Sequence, residues 1–384
     1  MTDAEDRDAF RARVRDWLAS NATPTPGAKF AGEGADPARA RAWLERQRAA
    51  GFLGMTWPVS AGGQGAPEWR ERILREESAA YEETAEDVFG VTFGLAAPAL
   101  IAHGTAEQQA RHLPRMLAGD EVWCQLFSEP NAGSDLGSLR TRAEPNDDGT
   151  WTITGQKVWT SGAQFSDYGI LLARTDPDRP GPRGISCFIL PMHAPGVEVR
   201  PLRQLTGDAH FSEVFMTDVV LEEDALLGDV HRGWDVTATV LAAERTLIGV
   251  GGGVAVPVAP LIELARARGQ ADDPSIRDGL AAAVVRERTI KLLADRVAER
   301  DRFGETSLVK LAMADHVEQT ADLALAMLGP DALLAPAELD RSAASWVRVF
   351  LGQWLIRIGG GTAQIQRNIV GERILGLPVE PRPR

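Results

Sequence analysis

Cysteine is nearly missing from this chain, with two thiols, Cys124 and Cys187, in 384 residues. That excludes a disulfide framework and a four-cysteine zinc site. An excess of positive charge is missing too: 54 acidic residues against 41 Lys and Arg leave a formal net charge of −13. Such a balance argues against nucleic acid or an anionic membrane as partner. Long apolar runs are absent as well. The most apolar stretch, "LIGVGGGVAVPVAPLIELA", is broken by glycines and two prolines and is too short before Glu263 to span a bilayer. The opening "MTDAEDRDAF" is acidic and has no apolar segment of a signal peptide, so a cytoplasmic protein is expected.

Several reaction classes lack their motifs. The six histidines are scattered, with no HExxH or paired spacing for a metal site. "GVGGG" at 249–253 does not complete G-x-G-x-x-G, because Val254 stands at the third glycine position and no strand precedes it. No GxxxxGK[ST] loop and no G-x-S-x-G elbow occurs, which argues against a P-loop nucleotide site and an α/β serine hydrolase.

What remains is a globular composition, 44% hydrophobic and 25% charged, in a chain long enough for two or three subdomains. Residues 1–120 carry apolar residues at helical spacing, as in "EDRDAFRARVRDWLAS", "PARARAWLERQRAAG" and "EWRERILREESAAYEETA". "GTAEQQARHLPRMLAGD" predicts a helix capped by Thr105 and ended by Gly119. From 121 to 228 the chain changes to short β-branched and aromatic runs, with a hairpin turn at "NDDGTW". From 229 to 384 long helical patterns with short connections predict an antiparallel bundle.

Two segments concentrate groups suited to a ligand. "WCQLFSEPNAGSDLGSLRTRAE" packs hydroxyls and backbone N–H groups into one loop, and "GQKVWTSG" follows with Trp159 as a flat stacking face. The set suits a planar cofactor with a phosphate tail; a polar loop and a core tryptophan would explain the same spacing. Near the C-terminus, "IRIGGGTAQIQRNIVGERILGLP" has three glycines that let the backbone come close to a ligand, or that simply form a turn. The helix after them would present free N–H groups.

"FSEPNAGSD" followed by "GQKVWTS" resembles the signature of the acyl-CoA dehydrogenase family, whose members carry FAD. The order of zones resembles that family's fold from end to end, and "GGTAQIQRNIVGERILGLP" is similar to its closing helix. The resemblance implies an α+β architecture: an N-terminal helical domain, a central β-domain of barrel or sandwich type, and a C-terminal antiparallel helical bundle. It also implies site residues. The Phe127 backbone and Ser128 would bond the flavin ring edge, and Ser134 would lie near the pyrophosphate or the CoA. Trp159 would pack on the flavin, Ser161 would bond its N5, and Thr362 and Gln364 would touch FAD.

In many members a Glu just before the closing Gly-Thr removes the Cα proton of an acyl-CoA. Here that position is Gly360, which cannot take a proton. In isovaleryl- and long-chain-type members the Glu stands on a bundle helix directly before an arginine. "LAAERTLIG" places Glu244 and Arg245 there, so Glu244 is the expected base and Arg245 an anchor for substrate or helix. A Glu-Arg pair on a helix is also the ordinary composition of a solvated face. The Gly360 N–H would polarise the thioester carbonyl.

Two further stretches depart from the family. The usual Arg-x-x-Phe-Gly is replaced by "LARARGQADDP", with "RDRFGE" one helix later, and Gln-x-x-Gly-Gly is reduced to "LAMLGPDALL". Both resemble an actinobacterial subclass in which two different chains form a heterotetramer with fewer flavins. The resemblance therefore implies an acyl-CoA or carrier-bound acyl thioester as substrate and an electron-transferring flavoprotein as acceptor. It implies a homotetramer or a heterotetramer with a related chain. A partner subunit that completes no site of its own, and an oxidase or monooxygenase on the same fold, are the alternatives. The acyl group stays open.

Overall fold

Several helix starts in this chain are set by side chains that accept the otherwise orphaned N–H groups. The computed structural model, which describes residues 6–24, 35–81, 86–249, 256–300 and 304–379, shows this at once. Asp6 accepts from the Ala9 N–H at 2.7 Å and opens α1 (Arg7–Asn21), whose Phe10, Val14 and Leu18 form a fully buried stripe. Asp36 caps α2 (Pro37–Ala49), which buries Ala40, Trp43 and Leu44. Helix α3 (Trp69–Ser78) packs on α1, with Arg15 bonded to Glu77 at 2.7 Å and Arg11 to Glu76 at 2.7 Å.

Helices α4 (Glu86–Val91) and α5 (Ala97–His103) run together through one π-helical turn, Thr92–Ala96. There the Thr92 hydroxyl accepts from the Trp123 N–H at 2.9 Å, which joins helix to sheet. Helix α6 (Ala106–Ala118) begins with the expected Thr105, in a full capping box with Gln108, and ends at Gly119 with φ +77°.

The expected β-domain is one seven-stranded sheet. Its strands are β1 (Trp123–Leu126), β2 (Arg142–Pro145), β3 (Trp151–Ser161), β4 (Tyr168–Arg174), β5 (Ile185–Pro191), β6 (Val197–Leu202) and β7 (Phe211–Leu221). Their order is β1-β4-β2-β3-β7-β6, with β5 beside β4. The β1–β4 pair is parallel, and β2–β3, β3–β7, β4–β5 and β6–β7 are antiparallel. The "NDDGTW" segment makes the β2–β3 turn, with Gly149 at φ +88°.

Alternate residues of the central strands point to opposite faces, and both faces are covered. On one face Trp123, Ile170, Leu172 and Cys187 pack with Leu100, Leu113 and Met116 of the helices. On the other, Cys124, Leu171, Phe188 and Leu190 pack with Val214 and Met216. The N-terminal helices and the sheet thus share a core.

Helix α7 (Gly233–Gly249) follows the sheet, and then α8 (Ala259–Ala267), α9 (Pro274–Arg300), α10 (Thr306–Leu328), α11 (Arg341–Gly352), α12 (Trp354–Ile358) and α13 (Ala363–Ile369). Helix α10 is the axis of this part: Val309, Met313, Val317, Ala321 and Leu328 pack with Leu261, Ala265, Ala283 and Trp346. The described residues up to Glu244, apart from Pro24, form one compact unit, and those from Arg245 onward form a second. Among the described residues no helix is long and apolar enough to cross a membrane.

Gly155 marks the tightest crossing in the sheet. A Cβ there would lie 2.4 Å from Thr141 Oγ1 and 2.7 Å from Thr141 Cα. Gly155→Ala should lower stability by about 1–3 kcal/mol. Gly90, in α4, faces open space, so Gly90→Ala should raise stability by about 0.5–1 kcal/mol. Thermal unfolding of the two variants checks both signs.

Candidate functional site

A lysine lies inside the sheet at the centre of the first candidate region. Lys157, on β3, is fully buried and donates to Glu129 Oε1 at 2.9 Å and to the Phe127 carbonyl at 3.1 Å. Glu129, only 8% exposed, also accepts from the Arg140 N–H at 2.7 Å and the Thr141 N–H at 2.9 Å. The two ends of the loop that contains Ser128 and Ser134 are thereby fastened to one carboxylate. Within the loop, Glu129 and Ala132 exchange two backbone hydrogen bonds of 3.1 Å, and the Val158 N–H donates to the Ser128 carbonyl at 3.0 Å.

Burial pushes the Glu129 carboxyl up, but the Lys157 charge and the hydrogen bonds from Lys157, Thr141 and Arg140 outweigh it and hold the group below the ordinary carboxylate range. Burial pushes Lys157 down to about 8, against the pull of Glu129. The pair is charged at neutral pH.

Two residues past Lys157 the strand breaks step. The β3–β7 register shifts between Lys157 and Thr160, and Trp159 sits in the shift with φ +61°. Its side chain is 61% exposed, so it is no core tryptophan; Phe211 meets its ring edge-on at 5.9 Å. A bulky residue in the left-handed region costs on the order of 1–3 kcal/mol and persists only where its surroundings hold it. Here the buried Lys157 and Thr160 hold it on either side.

Ser161, half-buried, closes β3 opposite Phe211. Gly162 follows at φ +66°, its N–H donating to the His210 carbonyl at 3.0 Å. Phe127 is buried and Ser128 half-buried, while Ser134 is exposed and a Cβ at Gly133 would meet nothing. The outer side of the loop is therefore open to a ligand. Its far end is gripped by Arg174, which donates to the carbonyls of Gly137 at 2.8 Å, Leu139 at 3.1 Å and Gly181 at 3.2 Å.

The second unit holds the glycine turn. Gly360 and Gly361 adopt φ +62° and +88° and are half-buried. Thr362 caps α13, its hydroxyl oxygen accepting from the Ile365 N–H at 3.2 Å, and Gln364 is exposed. The turn is tied from within. Lys310, on α10 and 2% exposed, donates to the carbonyls of Gly359 and Gly361. Gln366 donates to the Gly360 carbonyl at 2.9 Å. Glu244 lies half-buried on α7, in the first unit. The Arg245 side chain and most of the "RDRFGE" stretch lie outside the described residues.

The structure thus gathers Phe127, Ser128, Trp159 and Ser161 around one strand and its loop, and Gly360, Thr362 and Gln364 into one turn. Sequence reasoning quoted Glu129 and Lys157 within their motifs but gave them no role, and it passed over Lys310. The signal was present in both lysines. Lys157 interrupts a strand whose neighbour Val158 is apolar, and Lys310 falls on the apolar stripe of α10 with Met313, Ala314 and Val317.

Other chemistries have little support. Among the described residues no group of three or more His, Cys, Asp or Glu could hold a metal. Burial pushes the Cys124 thiol up to about 12, far from a nucleophile. An exposed, strained indole beside an open loop with its carbonyls turned inward does fit the flat ring system and polar edge of FAD.

Comparison with known proteins gives the same direction. The N-terminal, middle and C-terminal domain models of acyl-CoA dehydrogenase match residues 4–120, 124–219 and 231–375. Acyl-CoA dehydrogenase IpdE1 of Mycobacterium tuberculosis is 37% identical over 389 residues, covering 98% of this chain and 100% of that protein. Among solved structures, the Tcur3481-Tcur3483 steroid ACAD is similar at a TM-score of 0.84 and 27% identity, over 99% of this chain and 100% of that one. The ChsE4-ChsE5 complex from Mycobacterium tuberculosis is similar at a TM-score of 0.80 and 27% identity, with the same coverage.

The buried pair makes a pH-dependent prediction. A carboxyl held below its ordinary value contributes stability that is present above about pH 4.5 and is lost as pH falls through the lowered value. Glu129→Gln should flatten that acid limb of an unfolding curve against pH. Lys157→Met leaves the carboxylate buried without its partner and should cost about 3–5 kcal/mol at pH 7. Denaturant unfolding from pH 3 to pH 8 reads both.

Proposed function

The chain belongs to the acyl-CoA dehydrogenase family, and from that premise we propose that it uses FAD to desaturate an acyl-CoA thioester between Cα and Cβ, with Glu244 as the base. Trp159 carries the reading most directly. Its backbone strain and exposure make sense when a flat ligand covers the indole, and the Lys157–Glu129 pair fixes the neighbouring loop for the same ligand.

The residues take these roles. The Ser128 N–H and hydroxyl, with the Phe127 backbone, hold the polar edge of the flavin, because Lys157 draws the Phe127 carbonyl inward and so turns the Ser128 N–H outward. Trp159 stacks on the ring and Ser161 bonds its N5 edge. Ser134, on the exposed rim, receives the pyrophosphate or the CoA, and Thr362 and Gln364 touch the cofactor from the closing turn. Bound FAD supplies the acceptor for the hydride that leaves Cβ.

Glu244 takes the Cα proton onto its carboxylate. The Gly360 N–H donates to the thioester oxygen as negative charge builds there, which stabilises the enolate-like transition state without a side chain. Arg245 anchors the substrate or the helix. Electrons then pass to an electron-transferring flavoprotein.

The relatives bear on assembly and substrate. Similarity to two-chain complexes, one of them described as a steroid ACAD, supports a heterotetramer with a related chain and puts polycyclic acyl thioesters first among substrates to screen. A subunit that completes no site of its own is the competing reading. The "LAMLGPDALL" segment favours it: after α10 it becomes a short 3-10 turn, Gly329–Leu333, that leaves Leu333 90% exposed, as an absent neighbour would.

The visible spectrum of the purified chain separates these readings. About one FAD per chain is expected if the chain binds cofactor through its own residues; a colourless protein that turns yellow only when co-expressed with a related chain supports the competing one. Glu244→Gln should keep flavin and lose reduction by an acyl-CoA panel by about 10²–10⁴-fold. Unchanged reduction overturns the base assignment, and oxygen consumption by the reduced protein would show an oxidase.

A further inference from the structure

We propose that Lys310 is a positioning residue for the acyl thioester: from inside the bundle it turns the carbonyls of the glycine turn away from the ligand and so aims the Gly360 N–H at the substrate oxygen. The proposal rests on the reading of this turn as the thioester site and adds a residue that reading does not use.

Its basis is the bonding of three consecutive peptides. Lys310 Nζ donates to the carbonyl oxygens of Gly359 and Gly361, and Gln366 Nε2 donates to those of Gly360 at 2.9 Å and Gly361 at 3.3 Å. Both donors are buried, at 2% and 1% exposure. The peptides are trans, so each N–H points opposite to its own carbonyl. With the carbonyls of Gly359 and Gly360 held inward, the N–H groups of Gly360 and Gly361 are turned to the other side. Among the described residues neither N–H makes a backbone hydrogen bond. Both glycines are half-buried, so the N–H groups lie near a surface where a ligand can reach them.

Lysine does more here than hold a shape. A donor on a carbonyl oxygen polarises the whole peptide and strengthens the N–H at its other end. The Gly359 carbonyl and the Gly360 N–H belong to one peptide, so the bond from Lys310 makes that N–H a better donor to a developing oxyanion. The turn tolerates little else: a Cβ at Gly361 would lie 2.7 Å from Gln366 Nε2. Lys310 is itself fixed, since its neighbours Val309, Met313 and Ala314 are all in the bundle core.

The test compares two ligands on the flavin-loaded protein. Acetoacetyl-CoA carries an acidic Cα and presents an enolate oxygen, whereas CoA itself has no acyl oxygen. Lys310→Met should weaken acetoacetyl-CoA binding by about tenfold, with loss of its long-wavelength absorption, while CoA binding changes by less than about twofold. Lys310→Arg, which keeps donors for both carbonyls, should restore the absorption and most of the affinity. Lys310→Gln, shorter and with a single amide, should fall between the two and serves if the Met variant does not fold. Equal weakening of both ligands, or no change in either, overturns the role of Lys310. Should the wild-type protein bind acetoacetyl-CoA no better than CoA and show no new absorption, the reading of the turn as a thioester site falls, and this proposal with it.

Discussion

Lys157 Nζ lies 2.9 Å from Glu129 Oε1, and the lysine has no exposed surface. An unpaired ammonium in such a place costs several kcal/mol, so strand and loop cannot separate without a large loss. The loop that follows Phe127 depends on that constraint. Glu129 also takes the N–H groups of Arg140 and Thr141, so one carboxylate fixes the loop at both ends and leaves its rim, Ser134 and Gly133, free of packing. The strand pays in geometry. In an unbroken strand Trp159 would share the face of Lys157 and point inward. The shifted register and φ +61° put the indole outside while Thr160 stays buried. Buried pair, bulge and exposed ring are one device.

The same logic recurs at the glycine turn with other chemistry. Lys157 holds the carbonyl of Phe127, and Lys310 holds those of Gly359 and Gly361. In each case a buried lysine takes oxygen atoms from behind and leaves N–H groups on the side a ligand would approach. Lysine suits this work because it is a compact cation with three donors on a flexible stem, able to meet two carbonyls at once. Neither lysine needs to touch the ligand.

Much of the fold was legible because it obeys local rules. Thr105, Gln108 and Gly119 bound α6 as a capping box and a left-handed end, and Gly149 makes the turn of "NDDGTW". Where a segment is buried on all sides the rules fall silent. The stretch "VFGVTFGLAAPALIAH" is almost wholly apolar, so it shows no polar face, and the α4–α5 pair with its π turn was not read. The candidate site residues stand in motifs of the sequence, but their mechanics do not. Trp159 stands out in the sequence as an aromatic in a strand; its positive φ lies in a register shift beside Lys157, whose partner Glu129 is 28 residues away. Lys310 and its turn are separated by 49 residues, and only the fold brings them together.

The glycine at 360 is best understood from the bonding of its own turn. Gly360 and Gly361, whose carbonyls Gln366 and Lys310 hold inward, both adopt positive φ. A residue with a Cβ occupies that region at a penalty of roughly 1–2 kcal/mol, because the Cβ approaches the following carbonyl. A glutamate at 360 would carry that strain in the very peptide whose N–H is to meet the thioester oxygen. With glycine the backbone is free to take the conformation that aims the donor, but the position then has no group to accept a proton. The proposed assignment resolves this by division: the turn supplies a hydrogen bond and no side chain, and α7 supplies a carboxylate. On this argument a carboxylate side chain at 360 would strain the turn and disturb the N–H that the turn presents.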